Sequence, residues 1–166
     1  MIEIIYYKSE YQEFFKTLNL EWIQKYFMVE PADEYVLSNP QKAILDNGGF
    51  IFFAKSASEI VGTCALQKVD DKTFELAKMA VSEKFQSLGI GRMLMDKAIQ
   101  KAMEMQLDKL ELYTNSKLAR ALDIYNQYGF KEVSLDGHPT KRANIKMEMF
   151  LTQTESVKEI NIHKKK

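Results

Sequence analysis

Cysteine is almost missing from this 166-residue chain. Cys64 is the only one, and a single cysteine excludes an intrachain disulfide framework. Histidine is as scarce: His138 and His163 stand far apart, which argues against a structural zinc site and leads us to expect no metal. Seven glycines and three prolines are too few for a collagen-like or low-complexity chain. Neither sign of charge is in excess, with 23 Lys plus Arg against 23 Asp plus Glu. Nothing therefore draws the whole molecule toward nucleic acid or an anionic membrane. No apolar run approaches the roughly 18–20 residues that span a bilayer. The first residues, MIEIIYYKSE, lack the basic region and apolar core of a secretory signal. The expectation is a cytoplasmic protein with no nucleic-acid partner and no membrane partner.

What remains is a globular composition, 46% hydrophobic and 28% charged, in a length that suits one domain. Residues 2–7 form a short apolar run that reads as a strand. Over 10–28, Phe14, Phe15, Leu18, Trp22, Ile23 and Tyr26 recur at spacings of three and four, as on amphipathic helices. Short helices are expected around Pro31 and Pro40, and Asn47-Gly48-Gly49 stops them. Strand-like pieces at 50–55, 60–69 and 73–81 are joined by short polar turns, which predicts an antiparallel meander. A long helix is predicted over 90–106 and a strand over 109–114. Another helix is expected over 117–128, ended by Gly129, and strands over 130–135 and 143–151 follow. A strand–helix–strand crossover should be parallel and right-handed. The fold class is therefore α/β, with a mixed, mostly antiparallel central sheet of about seven strands flanked by helices on both faces. Residues 1–152 make the domain, and 153–166 read as a polar, basic tail.

The stretch Val81-Ser82-Glu83-Lys84-Phe85-Gln86-Ser87-Leu88-Gly89-Ile90-Gly91-Arg92 carries the most chemistry. A strand ends there, and a loop with two glycines opens a long helix. Such a loop can turn several backbone N–H groups toward one point, and the helix adds about half a positive charge at its start. The combination suits a phosphate or pyrophosphate. Gly89 and Gly91 allow close approach, and Arg92 and Lys84 add charge at the rim. No Gly-Lys-Ser/Thr follows, so this is not a P-loop, nor is it the GxGxxG dinucleotide fingerprint. Taken alone, the pattern is equally that of a tight, capped strand-to-helix turn.

A second segment narrows the choice. Gln86-x-x-Gly89-x-Gly91, preceded by Leu76-Ala77-Lys78-Met79-Ala80-Val81, resembles the acetyl-CoA motif of the GCN5-related N-acetyltransferase (GNAT) superfamily. Further on, Ala121-Leu122-Asp123-Ile124-Tyr125-Asn126-Gln127-Tyr128-Gly129-Phe130 resembles that family's helix with a tyrosine four residues before Gly-Phe. The element order matches too, over about residues 2–151. The resemblance implies acetyl-CoA as co-substrate, without a metal. Backbone amides of Gln86, Ser87, Leu88, Gly89, Ile90, Gly91 and Arg92 would hold its pyrophosphate. Met79 and Val81, with Ala80 between them, would pair with the pantetheine arm like an added strand. That requires strand 73–81 to splay from strand 109–114. Many members carry an asparagine where this chain has Leu118; Asn115, three residues earlier, is the candidate in this chain.

Acetyl transfer to an amine needs a base, donors for the developing oxyanion and support for the leaving thiolate. The resemblance makes Tyr125 the acid, whereas its place on the Leu118/Ala121/Leu122 stripe equally fits a core tyrosine. Glu75 is the candidate base, directly or through water, against the reading of a surface glutamate. Alternation would put Thr73, Glu75, Ala77, Met79 and Val81 on one face and Phe74, Leu76, Lys78 and Ala80 on the other. His138 is a weaker candidate base, and Arg142 a candidate clamp for an acceptor carboxylate. Trp22, Tyr26 and Phe27 are candidates to line an acceptor pocket, and Cys64 reads as a small buried residue. The function these features support is transfer of acetyl from acetyl-CoA to the primary amine of a small molecule by direct attack. The alternatives are a protein or peptide amine (an N-terminus or lysine) and a non-catalytic acyl-CoA-binding module. A homodimer is also expected from the resemblance.

Overall fold

The computed structural model of the chain describes residues 1–137 and 139–151. The elements follow in the order β1 (Ile2–Tyr6), α1 (Gln12–Tyr26), α2 (Pro31–Ser38), β2 (Phe50–Ser56), β3 (Glu59–Lys68), β4 (Thr73–Val81), α3 (Ile90–Glu104), β5 (Lys109–Thr114), α4 (Ala119–Tyr128), β6 (Lys131–Val133) and β7 (Ile145–Phe150). One seven-stranded sheet results, in the order β1-β2-β3-β4-β5-β7-β6. All neighbours are antiparallel except β4 and β5, which the α3 crossover makes parallel.

Alternation along the strands splits the core between two faces. Phe52, Leu66, Leu94 and Ala98 belong to the side covered by α3 and α4, while Phe15, Ile23, Ile51 and Phe53 belong to the side covered by α1 and α2. Along α1 the buried set is Phe15, Leu18, Asn19 and Ile23; Phe14 and Tyr26 of the expected stripe are exposed instead. Asn19 tolerates burial because its amide donates to the Phe15 carbonyl (2.9 Å) and accepts from the Trp22 indole (3.3 Å).

Helix starts and strand ends depart from the expected boundaries for local reasons. The α4 helix begins at Ala119 rather than 117 because the Asn115 side chain accepts from the Lys117 amide (2.9 Å), a turn that delays the helix. The β7 strand begins at Ile145 rather than 143. Upstream, the amides of Lys141 and Arg142 donate to the Glu30 carboxylate (2.7 and 3.4 Å) instead of to a ladder. Gly129 closes α4 with φ +98°, as its position in the sequence predicts.

The largest departure lies in β4. Thr63 pairs with Ala80 but Ala65 pairs with Ala77, so Lys78 and Met79 together oppose Cys64. This is a β-bulge, with Lys78 at φ +53°. The bulge overturns the predicted alternation. Phe74 and Leu76 share the α3 side with Met79 and Val81, while Ala80 belongs to the α1 side, where Lys78 reaches Asp33 of α2. It also bends the strand. The β4–β5 ladder covers only Thr73–Lys109, Phe74–Leu110 and Glu75–Glu111. Beyond Glu75 the two strands diverge, which gives the expected splay and leaves a cleft between them.

Candidate active site

The cleft has a volume of about 840 Å³. Residues 75–81 of β4, residues 85–92 except Leu88, residues 113–115 and one face of α4 line it, together with Trp22, Tyr26, Phe27, Lys117 and Arg142. The structure thus brings the candidates Glu75, Tyr125, Met79, Ala80, Val81, Gln86, Ser87, Gly89, Ile90, Gly91, Arg92 and Asn115 to one cavity. Leu88 is 64% exposed and its side chain points elsewhere, and Lys84 does not line the cleft. His138 lies outside the described residues, as does the 153–166 tail.

The loop between β4 and α3 is built to leave amides free. A short 3-10 turn (Glu83–Phe85) is followed by Ser87 at φ +67° and Gly89 at φ +81°, the residue that precedes α3 without a side-chain cap. Within α3 the first helical bond is Met93 N–H to the Gly89 carbonyl (3.1 Å). Among the described residues, no main-chain N–H from residues 87–92 donates to a protein acceptor. Any helix leaves the N–H groups of its first turn without intrahelical partners, and here Ser87, Leu88 and Gly89 extend that row ahead of α3. At both Gly89 and Gly91 an added Cβ would meet nothing within 4 Å. The protein's own packing therefore does not require a residue without a side chain at Gly91, and the space above the loop is open.

Cations surround this row of donors. Arg92 donates to the Gln127 amide oxygen (2.5 Å), and Arg120 of α4 donates to the Ser87 hydroxyl (3.0 Å). Sequence reading misses Arg120, because nothing local ties it to a loop 33 residues away. An anionic group of the size of a pyrophosphate fits a site with this donor set.

Tyr125 lies half-buried in α4, where its ring meets Phe130 edge-on at 6.1 Å. Burial, and secondarily the neighbouring Cys64, pushes its hydroxyl up to about 12. Among the described residues no group hydrogen-bonds that hydroxyl. The nearby Tyr128 is held differently, donating to Asp96 (2.6 Å) outside the cleft. Burial also pushes the Cys64 thiol up to about 12, so this fully buried residue carries no thiolate at neutral pH.

Asn115 is buried, and its side chain shapes the cleft wall: the amide donates to the Arg142 carbonyl (2.6 Å) while its oxygen holds the Lys117 amide. The Arg142 guanidinium is engaged in a two-pronged pair with Asp33 (2.5 and 2.6 Å) and stands over the Trp22 ring. Asp33 is fully buried, and nothing in the sequence around it marks this role. Burial pushes its carboxyl up, but Arg142, the Glu30 amide and Lys78 outweigh that and hold it below the usual range. Among the described residues, no three His, Cys, Asp or Glu side chains gather in a metal-holding arrangement. No described helix is long and apolar enough to cross a membrane.

Mixed sheet, splayed β4 and amide-lined loop together define an acyltransferase of the GNAT type, and comparison with known proteins bears this out. The model of the acetyltransferase (GNAT) family matches residues 12–130. This chain belongs to that family. It is 31% identical over 110 residues to the uncharacterized N-acetyltransferase YvbK of Bacillus subtilis strain 168, covering 64% of this chain and 71% of that protein. Its fold is similar to that of a GNAT-family acetyltransferase from Staphylococcus aureus Mu50, with a TM-score of 0.83 and 28% identity, covering 91% of this chain and 99% of the other. The PaiA N-acetyltransferase of Thermoplasma acidophilum, solved in complex with coenzyme A, shares the fold at a TM-score of 0.71 and 18% identity, covering 90% and 99% of the two chains.

Proposed function

We propose that this protein moves the acetyl group of acetyl-CoA to the primary amine of a small molecule by direct attack. The observation that carries this reading is the row of open amides at residues 87–92, with Gly89 and Gly91 leaving free space above it. Those amides and the start of α3 hold the pyrophosphate, with Arg92 and Arg120 beside it. The β4 edge beyond Glu75, which β5 does not pair, accepts the pantetheine arm as an added strand through Met79 and Val81. Acetyl-CoA supplies an activated acyl group. A cleft of about 840 Å³, lined in part by Trp22, Tyr26 and Phe27, has room for the arm and a small acceptor.

Glu75 takes the proton of the acceptor ammonium, directly or through water, because an alkyl ammonium with a pKa of about 10 is no nucleophile. The Met79 amide donates to the carbonyl oxygen as charge develops there. As the N–C bond forms and the C–S bond breaks, Tyr125 donates a hydrogen bond to the departing thiolate, which takes up the second proton shed by the nitrogen and leaves as the free thiol. With its hydroxyl pushed up to about 12, Tyr125 holds its proton more firmly than a thiol of pKa ~8.5 does. Its contribution is hydrogen-bond donation to a sulfur anion, rather than outright proton transfer. Nothing in this sequence of steps requires an enzyme nucleophile.

Thermal melting and thiol release test the reading together. Saturating acetyl-CoA should raise the melting temperature, since a ligand bound only by the native state stabilises it. Thiol release should then follow addition of small primary amines, and exceed that with peptides bearing a free N-terminus or lysine. Acetyl-CoA that protects without turnover on any amine would leave a binding module in place of the enzyme.

A further inference from the structure

The cleft also carries a charge pattern that the transfer reaction does not use. Lys78 lines the cleft with a side chain only 13% exposed, held there by the bulge at φ +53°. A non-glycine residue in that conformation is strained by roughly 1–2 kcal/mol, a feature that concentrates at functional sites. The carboxylate that pairs with it is Asp33, at 3.5 Å. That is well beyond the roughly 2.7–2.9 Å of a strong charged hydrogen bond. Asp33 is already occupied: Arg142 takes both oxygens, and the Glu30 amide donates to one of them (2.9 Å).

Glu30 itself sits on the other side of Arg142, 3.6 Å from its guanidinium, accepting the amides of Lys141 and Arg142. The carboxylates of Asp33 and Glu30 thus stand behind the cations, and neither lines the cleft. Lys78, Arg142 and Lys117 line it, with Glu75 as the nearby acid on β4. Burial, with the neighbouring Arg142, pulls the Lys78 ammonium below its usual range despite Asp33 and Glu75.

We propose that the acceptor is an amine that also bears a carboxylate close to the reacting nitrogen, and that Lys78 is the residue that binds this carboxylate. The inference rests on the acetyl transfer proposed above and adds the charge of its acceptor. Lys78 directly precedes Met79, the residue proposed above to donate to the reacting carbonyl, and both line the same stretch of the cleft wall. An amino acid acetylated on its α-nitrogen has this layout. A polycationic amine would instead bring further positive charge beside Lys78 and Lys117, which disfavours it.

Matched acceptors test the proposal: tyrosine against tyramine, and phenylalanine against phenethylamine, with spermidine as the polycation, each followed by thiol release. The carboxylated member of each pair should have a kcat/KM about tenfold higher or more. In Lys78→Met that ratio should collapse toward one through the KM of the carboxylated amine, and Lys78→Arg should keep most of it. Melting with acetyl-CoA verifies that each variant is folded and holds the donor. The proposal is overturned if the decarboxylated amines or spermidine are preferred. An unchanged ratio in Lys78→Met overturns it too, as does a lack of turnover of the carboxylated amines by a protein that acetyl-CoA still protects. Absence of protection by acetyl-CoA would overturn the transfer reading itself, and this inference with it.

Discussion

Tyr125 illustrates how one residue's surroundings set what it can do. A free tyrosine and a thiol differ little in acidity, and proton transfer between them is nearly balanced. Half-buried against Phe130 and close to Cys64, Tyr125 has its hydroxyl pushed up to about 12. Moving its proton to a thiolate of pKa ~8.5 would cost about 5 kcal/mol at ~1.4 kcal/mol per pH unit, before any change in the thiolate's own surroundings. Donating a hydrogen bond carries no such penalty. Tyr125→Phe should therefore slow acetyl transfer by about 10- to 100-fold while leaving the melting shift with acetyl-CoA nearly intact. The rate with wild-type Tyr125 should show no alkaline loss near pH 10, where an ordinary tyrosine ionises, because the folded protein holds the proton well beyond that. Unaltered turnover of Tyr125→Phe with the best acceptor would remove the residue from the reaction.

Among elements, the handover from β4 to α3 decides most, and its two halves are unequally readable. The glycines give the second half away. Gly89 takes φ +81°, which only glycine adopts at little cost, and the long apolar stripe of α3 begins right after it. The first half is hidden. Lysine is not a residue that announces a positive φ, and the one trace of the bulge is a change of phase, the large apolar residues passing from Phe74 and Leu76 to Met79 and Val81 across Lys78. A single extra residue then exchanges Met79 and Lys78 between faces. The side-chain pairs that close the site are hidden for a different reason. Arg142 and Asp33 are 109 residues apart, and only the packed fold brings them together. The open loop predicts an opposition between stability and binding. Gly91 is in α3, and an added Cβ meets nothing there. Gly91→Ala should leave the unliganded melting temperature the same or slightly higher, since alanine favours helix by up to about 1 kcal/mol. The same substitution should shrink the melting shift caused by acetyl-CoA, because the methyl group occupies the space above the amides. A full ligand shift in Gly91→Ala would show that the free space over α3 is not used.

At the scale of the whole molecule, the class and order of elements are legible because hydrophobic period and turn residues are local properties. The two-faced core and the parallel β4–β5 contact follow from them through the right-handed crossover rule. Where the sheet opens is not legible, since divergence after Glu75 depends on the bulge. The buried sheet also carries a pH signature. Cys64 and Tyr125 are both raised to about 12 in the folded protein, from ordinary values of 9.0 and 10.0. The unfolded chain therefore gives up these protons first as pH rises. The stability they contribute is complete below about pH 9 and is lost progressively as pH climbs toward 12. Urea midpoints should fall between about pH 9 and pH 11, and Cys64→Ala should flatten the early part of that fall. Equal slopes for the two proteins would mean that the Cys64 proton is not linked to folding.

Amide hydrogen exchange resolved along residues 87–92 addresses the central claim most directly. These amides have no acceptor in the free protein and should exchange fast, in contrast to the interior of α3. Saturating acetyl-CoA should slow them by about tenfold or more, with the strongest protection around Gly89 and Gly91. If exchange across this loop stays fast while the protein is turning over acetyl-CoA, the diphosphate is held elsewhere and the row of open amides is not its binding site.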